Sequence, residues 1–405
     1  MGSLDLTSYP TDDPCELIFL GTGTSASIPH VDCLTAPPDR EPCRTCLSTL
    51  RPEGKKNIRV RLTHPHTPEL VPTTTFTLQR NTSAVLRIRG SDGEKKTIVI
   101  DAGKTFQAAA VEWFPKYGLR KIDAVLITHA HADAMNGLDD LRGWTLRAAI
   151  QPHVDLYVSR HTFSEVQRSF PYLVTKEFAS GGGDVPEFKW HIIEDKVPFE
   201  IEGTGIKITP FNVHHGRFFS MPPPTTYYTP GSTAPPSPPA IPGTPIEAPV
   251  VEPAIQPYLC FGFNVADTVV YLSDVSYIPD DVWSLLNRPI RDGSRVPGPP
   301  VLVLDCLRLT PHTSHLGVAQ SVEIARRIGA ARTYLLGFGH EVSHEEYVTI
   351  TEAVGGRMKH KAALTANEKE GIALIPGGES VWVRPAYDGL RIYVSEDLQV
   401  GDEEY

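Results

Sequence analysis

Two histidines and an aspartate occupy alternate positions directly after a run of apolar residues. His129, His131 and Asp133 follow residues 122–127, which the apolar pattern predicts to be a buried strand. In α/β proteins, reactive groups gather on loops at the carboxyl ends of strands. Imidazole nitrogens and carboxylate oxygens are also ligands that Zn²⁺ accepts at catalytic sites. The motif therefore indicates a metal site, although a polar turn would contain the same residue types.

Three later apolar segments also end in residues that can bind a metal. The residues that follow these segments are His214 and His215, then Asp274, and finally His340. Because neighbouring residues on a strand point to opposite faces, only one of the two adjacent histidines can face a metal. The four segments together predict a site that is assembled from distant parts of the chain.

The order of these motifs resembles that of the metallo-β-lactamase-fold hydrolases. Within them it is most similar to the phosphodiesterase-like branch that includes the carbon–phosphorus lyase pathway phosphodiesterase. The resemblance extends over most of the chain and includes residues 19–25 (FLGTGTS), 271–276 (YLSDVS) and 339–344 (GHEVSH). It implies an α/β fold, a four-layer αββα sandwich, with a metal centre of one or two catalytic Zn²⁺ ions, or Mn²⁺.

The resemblance also implies which residues bind these ions. The ligands of the first ion would be His129, His131 and His215 with Asp274 as the bridge, and those of the second would be Asp133, Asp274 and His340. Matching residues 213–216 to the family pattern selects His215 over His214. The family has a histidine where this chain has Ala134. The second ion is therefore expected to bind weakly or not at all, unless Asp140 or a water replaces that ligand.

Catalytic roles follow from the same resemblance. Asp133 would orient the attacking metal-bound hydroxide, Asp274 would bridge the ions, and His315 would act as a general acid or phosphate ligand. The alternative is that His315 merely adjoins a helix capped by Thr313 or Ser314. The imidazoles also need acceptors for their second nitrogens. Candidate acceptors are Asp101, Asp139 and Asp140.

Three of the six cysteines cluster in a proline-rich loop. Cys33 precedes the pair Cys43 and Cys46, whose spacing is compatible with zinc. In an intracellular protein, clustered cysteines favour a metal over a disulfide. The resemblance implies a structural zinc bound by the three cysteines and His344, with His30 as the alternative fourth ligand.

Composition limits the classes of function. The net charge of −10 argues against a nucleic-acid surface, and we find neither a signal peptide nor an apolar run long enough to span a bilayer. We therefore expect a soluble cytoplasmic or nuclear protein. Its expected partner is a small phosphodiester or ester substrate, not a membrane or nucleic acid. The oligomeric state stays open, with a homodimer as one possibility.

The predicted organisation is a single domain over residues 15–398. Residues 1–14 form a disordered lead-in and residues 399–405 an acidic tail. The domain contains the cysteine loop 30–46 and a proline-rich insertion, 221–257, with 13 of the 37 prolines. Since proline removes backbone donors, this insertion is expected to be a spacer or a lid beside the site.

Apolar periodicity predicts the elements on either side of that insertion. The predicted strands cover residues 16–20, 82–88, 97–101, 124–128, 154–158, 206–213, 259–264, 269–273, 301–305 and 333–337. The predicted helices cover residues 106–117, 137–149, 161–170 and 318–328.

The leading prediction is a metal-dependent hydrolase of a small or cyclic phosphodiester. A hydrolase of carboxylic esters, thioesters or lactones would use the same ligands. A tRNA 3′-processing-like endonuclease shares the fold. A binding module with reduced catalysis is a further alternative because of Ala134.

Overall fold

The computed structural model describes nine stretches of the chain. They are residues 13–40, 43–50, 79–181, 183–219, 256–287, 290–291, 294–295, 298–357 and 363–404. Most of the predicted lead-in, most of residues 47–80 and most of the proline-rich insertion lie outside the described residues.

The strands run from near the start of the described chain almost to its end. They are β1 (Cys15–Gly21), β2 (Ser83–Arg89), β3 (Lys95–Ile100), β4 (Ala124–Leu126), β5 (Val154–Val158), β6 (Phe188–Ile192), β7 (Phe199–Glu200), β8 (Lys207–Arg217), β9 (Pro257–Val265), β10 (Val269–Leu272), β11 (Ile290–Arg291), β12 (Ser294–Arg295), β13 (Val301–Asp305), β14 (Arg332–Leu336), β15 (Val383–Pro385), β16 (Arg391–Val394) and β17 (Val400–Asp402).

Within the described residues, the strands form two large sheets and one hairpin. The first sheet has the order β17-β16-β1-β2-β3-β4-β5-β6, and the second has the order β15-β14-β13-β10-β9-β8-β7. Strands β11 and β12 pair with each other. In the second sheet, β13 lies parallel to both of its neighbours. All of its residues are buried, as expected for a nearly all-apolar strand covered on both faces.

The helices lie mostly between the strands of each half. They are α1 (Val31–Leu34), α2 (Arg44–Ser48), α3 (Phe106–Lys116), α4 (Ala132–Met135), α5 (Arg142–Thr145), α6 (Arg160–Ser169), α7 (Pro171–Val174), α8 (Asp280–Leu286), α9 (Val318–Ile328), α10 (His344–Val354) and α11 (Ala366–Leu374). Among the described residues, no helix combines the length and the apolar character needed to cross a bilayer.

Three buried clusters define the layers of the fold. One lies between the two sheets and includes Leu86 of the first and Phe263 of the second. A second lies between the first sheet and α3, and a third lies between the second sheet and helices α8, α9 and α10. This arrangement is the predicted αββα sandwich. Each aliphatic side chain that it buries contributes about 1.5–3 kcal/mol.

Most of the predicted elements are confirmed, and two differ. Strands 154–158 and 301–305 and helix 318–328 have the predicted bounds. Residues 137–149, predicted as one helix, instead form α5 between two short 3-10 turns. Part of the predicted acidic tail forms β17, which pairs with β16 at the edge of the first sheet.

Candidate metal centre

Three strands from the two sheets bring four of the predicted ligands to one place. His129 and His131 follow β4 of the first sheet. His215 lies on β8, and Asp274 follows β10, both in the second sheet. The backbone N–H of Phe261 donates to the Thr128 carbonyl over 2.9 Å, so the two sheets are joined directly beneath the ligands.

Three of these side chains are imidazoles, and together we call them the imidazole cluster. One ring nitrogen each of His129, His131 and His215 lies within 4.8 Å of the others. Nε2 of His215 is 3.2 Å from Nδ1 of His131. Nε2 of His129 is buried and has no hydrogen-bond partner. A buried ring nitrogen without a partner costs free energy unless a ligand occupies the position that it faces.

Hydrogen bonds fix which nitrogen of two of these rings faces the cluster. The Thr128 hydroxyl donates to Asp101 over 2.8 Å, so its oxygen is free to accept from Nδ1 of His129, also at 2.8 Å. Nδ1 of His215 donates to the Ser314 carbonyl over 2.8 Å. Both Nε2 atoms therefore keep their lone pairs for the cluster, which is the usual arrangement around a metal-binding histidine.

Asp274 and His315 lie on one side of the imidazoles. Oδ2 of Asp274 is 3.8 Å from Nε2 of His129 and 3.6 Å from Nε2 of His215. The ring centroid of His315 is 4.8 Å from that of His215. Nδ1 of His315 lies 3.1 Å from Oδ1 of Asp305, the last residue of β13. The sequence analysis did not identify Asp305 as a partner of His315. Its position at the end of a strand, shortly before His315, was the available signal.

Asp133 lies in the short helix α4, which packs tightly against the turn between β3 and α3. Glycine is required at position 103, because a Cβ atom there would lie 1.6 Å from the Asp133 carbonyl oxygen. The next residue, Ala134, is buried and offers no ligand atom. Among the described residues, the three-membered groups of potential ligands do not include Asp133. It therefore lies beside the imidazole cluster and not within it.

Burial and the neighbouring imidazoles keep His129 and His131 neutral without a metal ion. Burial holds the pKa of His129 well below its ordinary value, and His215 and His131 lower it further. Part of His131 is exposed, but burial and His215 lower its pKa to about 4. Neutral imidazole is the form that binds a metal.

The pKa values of the Asp133 and Asp274 carboxyl groups shift in opposite directions. Burial and then Asp274 raise the pKa of Asp133 to about 6. Burial alone would raise the pKa of Asp274, but His315, His215 and His129 hold it below its ordinary value. Asp274 therefore keeps its negative charge at neutral pH and can serve as a ligand.

Aromatic side chains form one wall of the centre, and sequence reasoning did not find them. The ring of Tyr258 on β9 stacks on His131, with centroids 4.6 Å apart. Phe218 and His161 contact Tyr258 edge-on. Isolated aromatic residues carry no local motif, so only the fold brings them together.

The position of His340 differs from the prediction. Its Nδ1 lies 3.2, 3.5 and 3.4 Å from the Sγ atoms of Cys33, Cys43 and Cys46, and not beside Asp274. Three thiols and one imidazole form a typical structural zinc set. The prediction that His340 completes a catalytic site is therefore corrected, since its ring nitrogen faces the cysteine loop.

The other two histidines proposed for the cysteine cluster have different surroundings. His344 is the first residue of α10 and packs edge-on against Tyr387, with ring centroids 5.7 Å apart. The ring of His30 stacks on His340 at 3.8 Å, and its backbone N–H donates to Cys46 Sγ. Neither is within the group of four ligand atoms, so the assignment of His344 is also corrected.

The remaining candidates fall outside the cluster. His214 points away from it, with its ring 5.2 Å from that of Tyr277. Asp139 pairs with Arg142 over 2.5 Å, and Asp140 belongs to no ligand group of the described residues. Asp101 orients His129 only through the Thr128 hydroxyl.

Comparisons with known proteins agree with this fold. A solved diphosphatase of the PhnP family has 22% sequence identity, with a TM-score of 0.54 over 93% of this chain and 96% of that one. Zn²⁺-bound PqqB from Methylobacterium extorquens has 15% identity and a TM-score of 0.53 over 93% of this chain and 99% of that one. At these identities, the likeness establishes the fold alone.

Two sequence comparisons extend this finding. A protein named octanoyltransferase, from Porphyromonas gingivalis (strain ATCC BAA-308 / W83), is 26% identical over 202 residues, which cover 49% of this chain. The matched region spans only 31% of that relative. The family model described as a beta-lactamase superfamily domain matches residues 96–338, from β3 to just beyond β14. The chain therefore belongs to the beta-lactamase superfamily, with the metallo-β-lactamase fold that implies a divalent metal.

Proposed function

We propose that the protein is a metal-dependent phosphodiesterase that acts on a small or cyclic phosphodiester. The observation that carries this proposal is the His315–Asp305 pair, which places a proton donor beside the imidazole cluster. An ester of a phenol or thiol needs little help to leave, whereas an alkoxide leaving from phosphorus benefits strongly from a proton donor.

The side chains of the imidazole cluster are suitable ligands for a divalent metal ion. His129, His131 and His215 present converging ring nitrogens, and Nε2 of His129 has no hydrogen-bond partner. Three histidines are the ligand set that leaves a fourth position open for water or substrate. A divalent ion bound there would lower the pKa of water and polarise a phosphoryl oxygen.

Other residues near the cluster would orient the attacking water, protonate the leaving group and hold the metal ligands in place. Asp133, beside the imidazole cluster, would accept a hydrogen bond from the attacking water and so orient it. Nδ1 of His315 is held by Asp305, which leaves Nε2 to donate a proton to the departing oxygen. Asp101 and Thr128 hold His129 in one tautomer.

Positive groups near the cluster favour an anionic substrate. Lys104 is close enough to Asp133 to lower its pKa. Burial alone would lower the pKa of His315, but Asp305 and Asp274 raise it to about 9, so its ring is positive at neutral pH. A phosphodiester carries one negative charge, whereas a carboxylic ester carries none, so these groups would attract the former.

Hydrolysis of carboxylic esters or thioesters is the second candidate. It is favoured by the similarity to a protein named octanoyltransferase, whose name denotes acyl transfer. The match spans less than a third of that protein, so the named activity need not reside in the matched part.

A substrate panel separates the two candidates. The zinc-loaded protein would be assayed with bis(p-nitrophenyl) phosphate, a 2′,3′-cyclic nucleotide, p-nitrophenyl butyrate and an acyl thioester. We expect the highest kcat/KM for a phosphodiester. Faster turnover of the ester or thioester than of both phosphodiesters would replace the proposal with the second candidate.

A further inference from the structure

The imidazole cluster has ligands for one ion, and we infer that this chain holds a single catalytic ion and not a pair. The inference rests on the proposed hydrolytic centre, since it concerns the same residues, but its test counts ions. Two ions ~3.5–4 Å apart each need ligands of their own. A paired centre in this chain would therefore require a second set of ligands beside the first.

The first set is complete. His129, His131 and His215 present converging ring nitrogens, and the unpartnered Nε2 of His129 faces the space between them. Asp274 adds a carboxylate oxygen less than 4 Å from two of these rings. An ion at this position would have three imidazoles and one carboxylate within reach.

The second group shares an essential atom with the first. His215, Asp274 and His315 also bring one ligand atom each within 4.8 Å of one another. However, Nδ1 of His215 donates to the Ser314 carbonyl, so only Nε2 can bind a metal. An imidazole nitrogen has a single lone pair. His215 therefore cannot serve a second ion once it binds the first.

The residues that remain do not make a second site. Asp133 is absent from every convergent group among the described residues. Neither Ala134 nor Gly337, which follows β14 beside Asp305, offers a ligand atom. Position 337 must be a glycine, because a Cβ atom there would lie 2.6 Å from Oδ1 of Asp305. His340, the remaining candidate, faces the cysteines.

His315 has one ring nitrogen within 4.8 Å of ligand atoms of Asp274 and His215. Its Nδ1 bonds to Asp305, which also accepts from the backbone N–H of Leu316 over 3.0 Å. This double anchoring fixes the ring as a hydrogen-bonding group. In this chain His315 would therefore supply a hydrogen bond to the substrate where a paired centre would supply a second ion.

The test is the number of ions per chain. The full chain would be stripped with a chelator, loaded with excess Zn²⁺, freed of unbound metal and analysed by native mass spectrometry and elemental analysis. We expect about two ions, one at the imidazole cluster and one at the cysteine cluster, by ligand counting. Cys43→Ser/Cys46→Ser should retain about one ion, and so should His129→Ala/His131→Ala. His315→Ala should retain about two.

Other counts would overturn the inference. About three ions in the wild type, or about two in the cysteine variant, would mean a paired centre. In case the cysteine variant does not fold, Mn²⁺-loaded wild type provides an independent measurement by electron paramagnetic resonance. A single ion gives an isolated-manganese spectrum, and a spin-coupled spectrum would contradict the inference.

The same measurements distinguish this inference from the proposed function. A chain that binds one ion at the cluster but cleaves no phosphodiester would overturn the function alone. A chain that cleaves phosphodiesters with a spin-coupled pair of ions would overturn this inference alone.

Discussion

Nδ1 of His315 lies 3.1 Å from Oδ1 of the buried Asp305, which holds the imidazole beside the metal-binding cluster. Burial alone would lower the pKa of His315, but Asp305 and Asp274 raise it to about 9 in the metal-free protein. The ring is therefore protonated at neutral pH. This state is the one required of a general acid.

Replacing His315 with alanine should reduce kcat for the 2′,3′-cyclic nucleotide by about 10²-fold or more, because its alkoxide leaving group would lose its proton donor. The zinc content should not change, since His315 is not needed as a ligand. The control is His312→Ala, which removes an exposed imidazole from the same loop. Equal losses in the two variants would rule out the assigned role.

Asp305→Asn should shift the pH profile. His315 acts in its protonated form, so activity is lost as the pH rises through its pKa. Without the carboxylate that raises this pKa, the alkaline limb of kcat/KM should move to lower pH. The profile of the wild type and the variant would be measured from pH 5 to 10. An alkaline limb that stays in place would show that another group controls it.

Thr128→Val should weaken metal binding at the imidazole cluster. The Thr128 hydroxyl connects Asp101 to Nδ1 of His129, and loss of such a partner costs roughly 10- to 100-fold in affinity. The matched control is Thr333→Val, because the Thr333 hydroxyl is buried without a hydrogen-bond partner. Zinc affinity would be measured by competition with a chromogenic chelator. Equal affinities in both variants would contradict the prediction.

His340→Ala should resemble a cysteine variant and not a catalytic variant. It should lose the ion of the cysteine cluster and lower the melting temperature, because binding at a structural site contributes to folding. Combining it with Cys46→Ser should cause no further loss of zinc. His344→Ala is the comparison, and it should retain the ion. Loss of the catalytic ion from His340→Ala would instead restore the original prediction for this residue.

Ten strands and three helices could be predicted because their local patterns were unambiguous. Strand β13 is a continuous apolar run, and α9 has buried residues at helical spacing between Gly317 and Gly329. The broken helix over residues 137–149 could not. There the Trp144 carbonyl accepts hydrogen bonds from the backbone N–H groups of residues 150 and 151. These bonds close a wide turn that residue propensities do not predict.

The convergence of His129, His131, His215 and Asp274 could be predicted from their places at strand ends, but the positions of His340 and His344 could not. Ser343 and Glu346 form a capping box that starts α10 at His344. This signal was present in the sequence and would have placed His340 in the preceding loop. Which cluster that loop faces depends on packing: the backbone N–H of Gly339 donates to the Leu307 carbonyl over 2.7 Å. Such long-range contacts are not visible in a single sequence.

The most direct test of the central claim is kcat/KM for bis(p-nitrophenyl) phosphate in the wild type and in His129→Ala/His131→Ala. The matched control is His153→Ala/His191→Ala, a histidine pair that contacts Asp155 and not the cluster. We predict that the zinc-loaded wild type and the control cleave the diester and that the cluster variant does not. Equal cleavage by all three proteins, or no cleavage by the zinc-loaded wild type, would contradict a phosphodiesterase at this site.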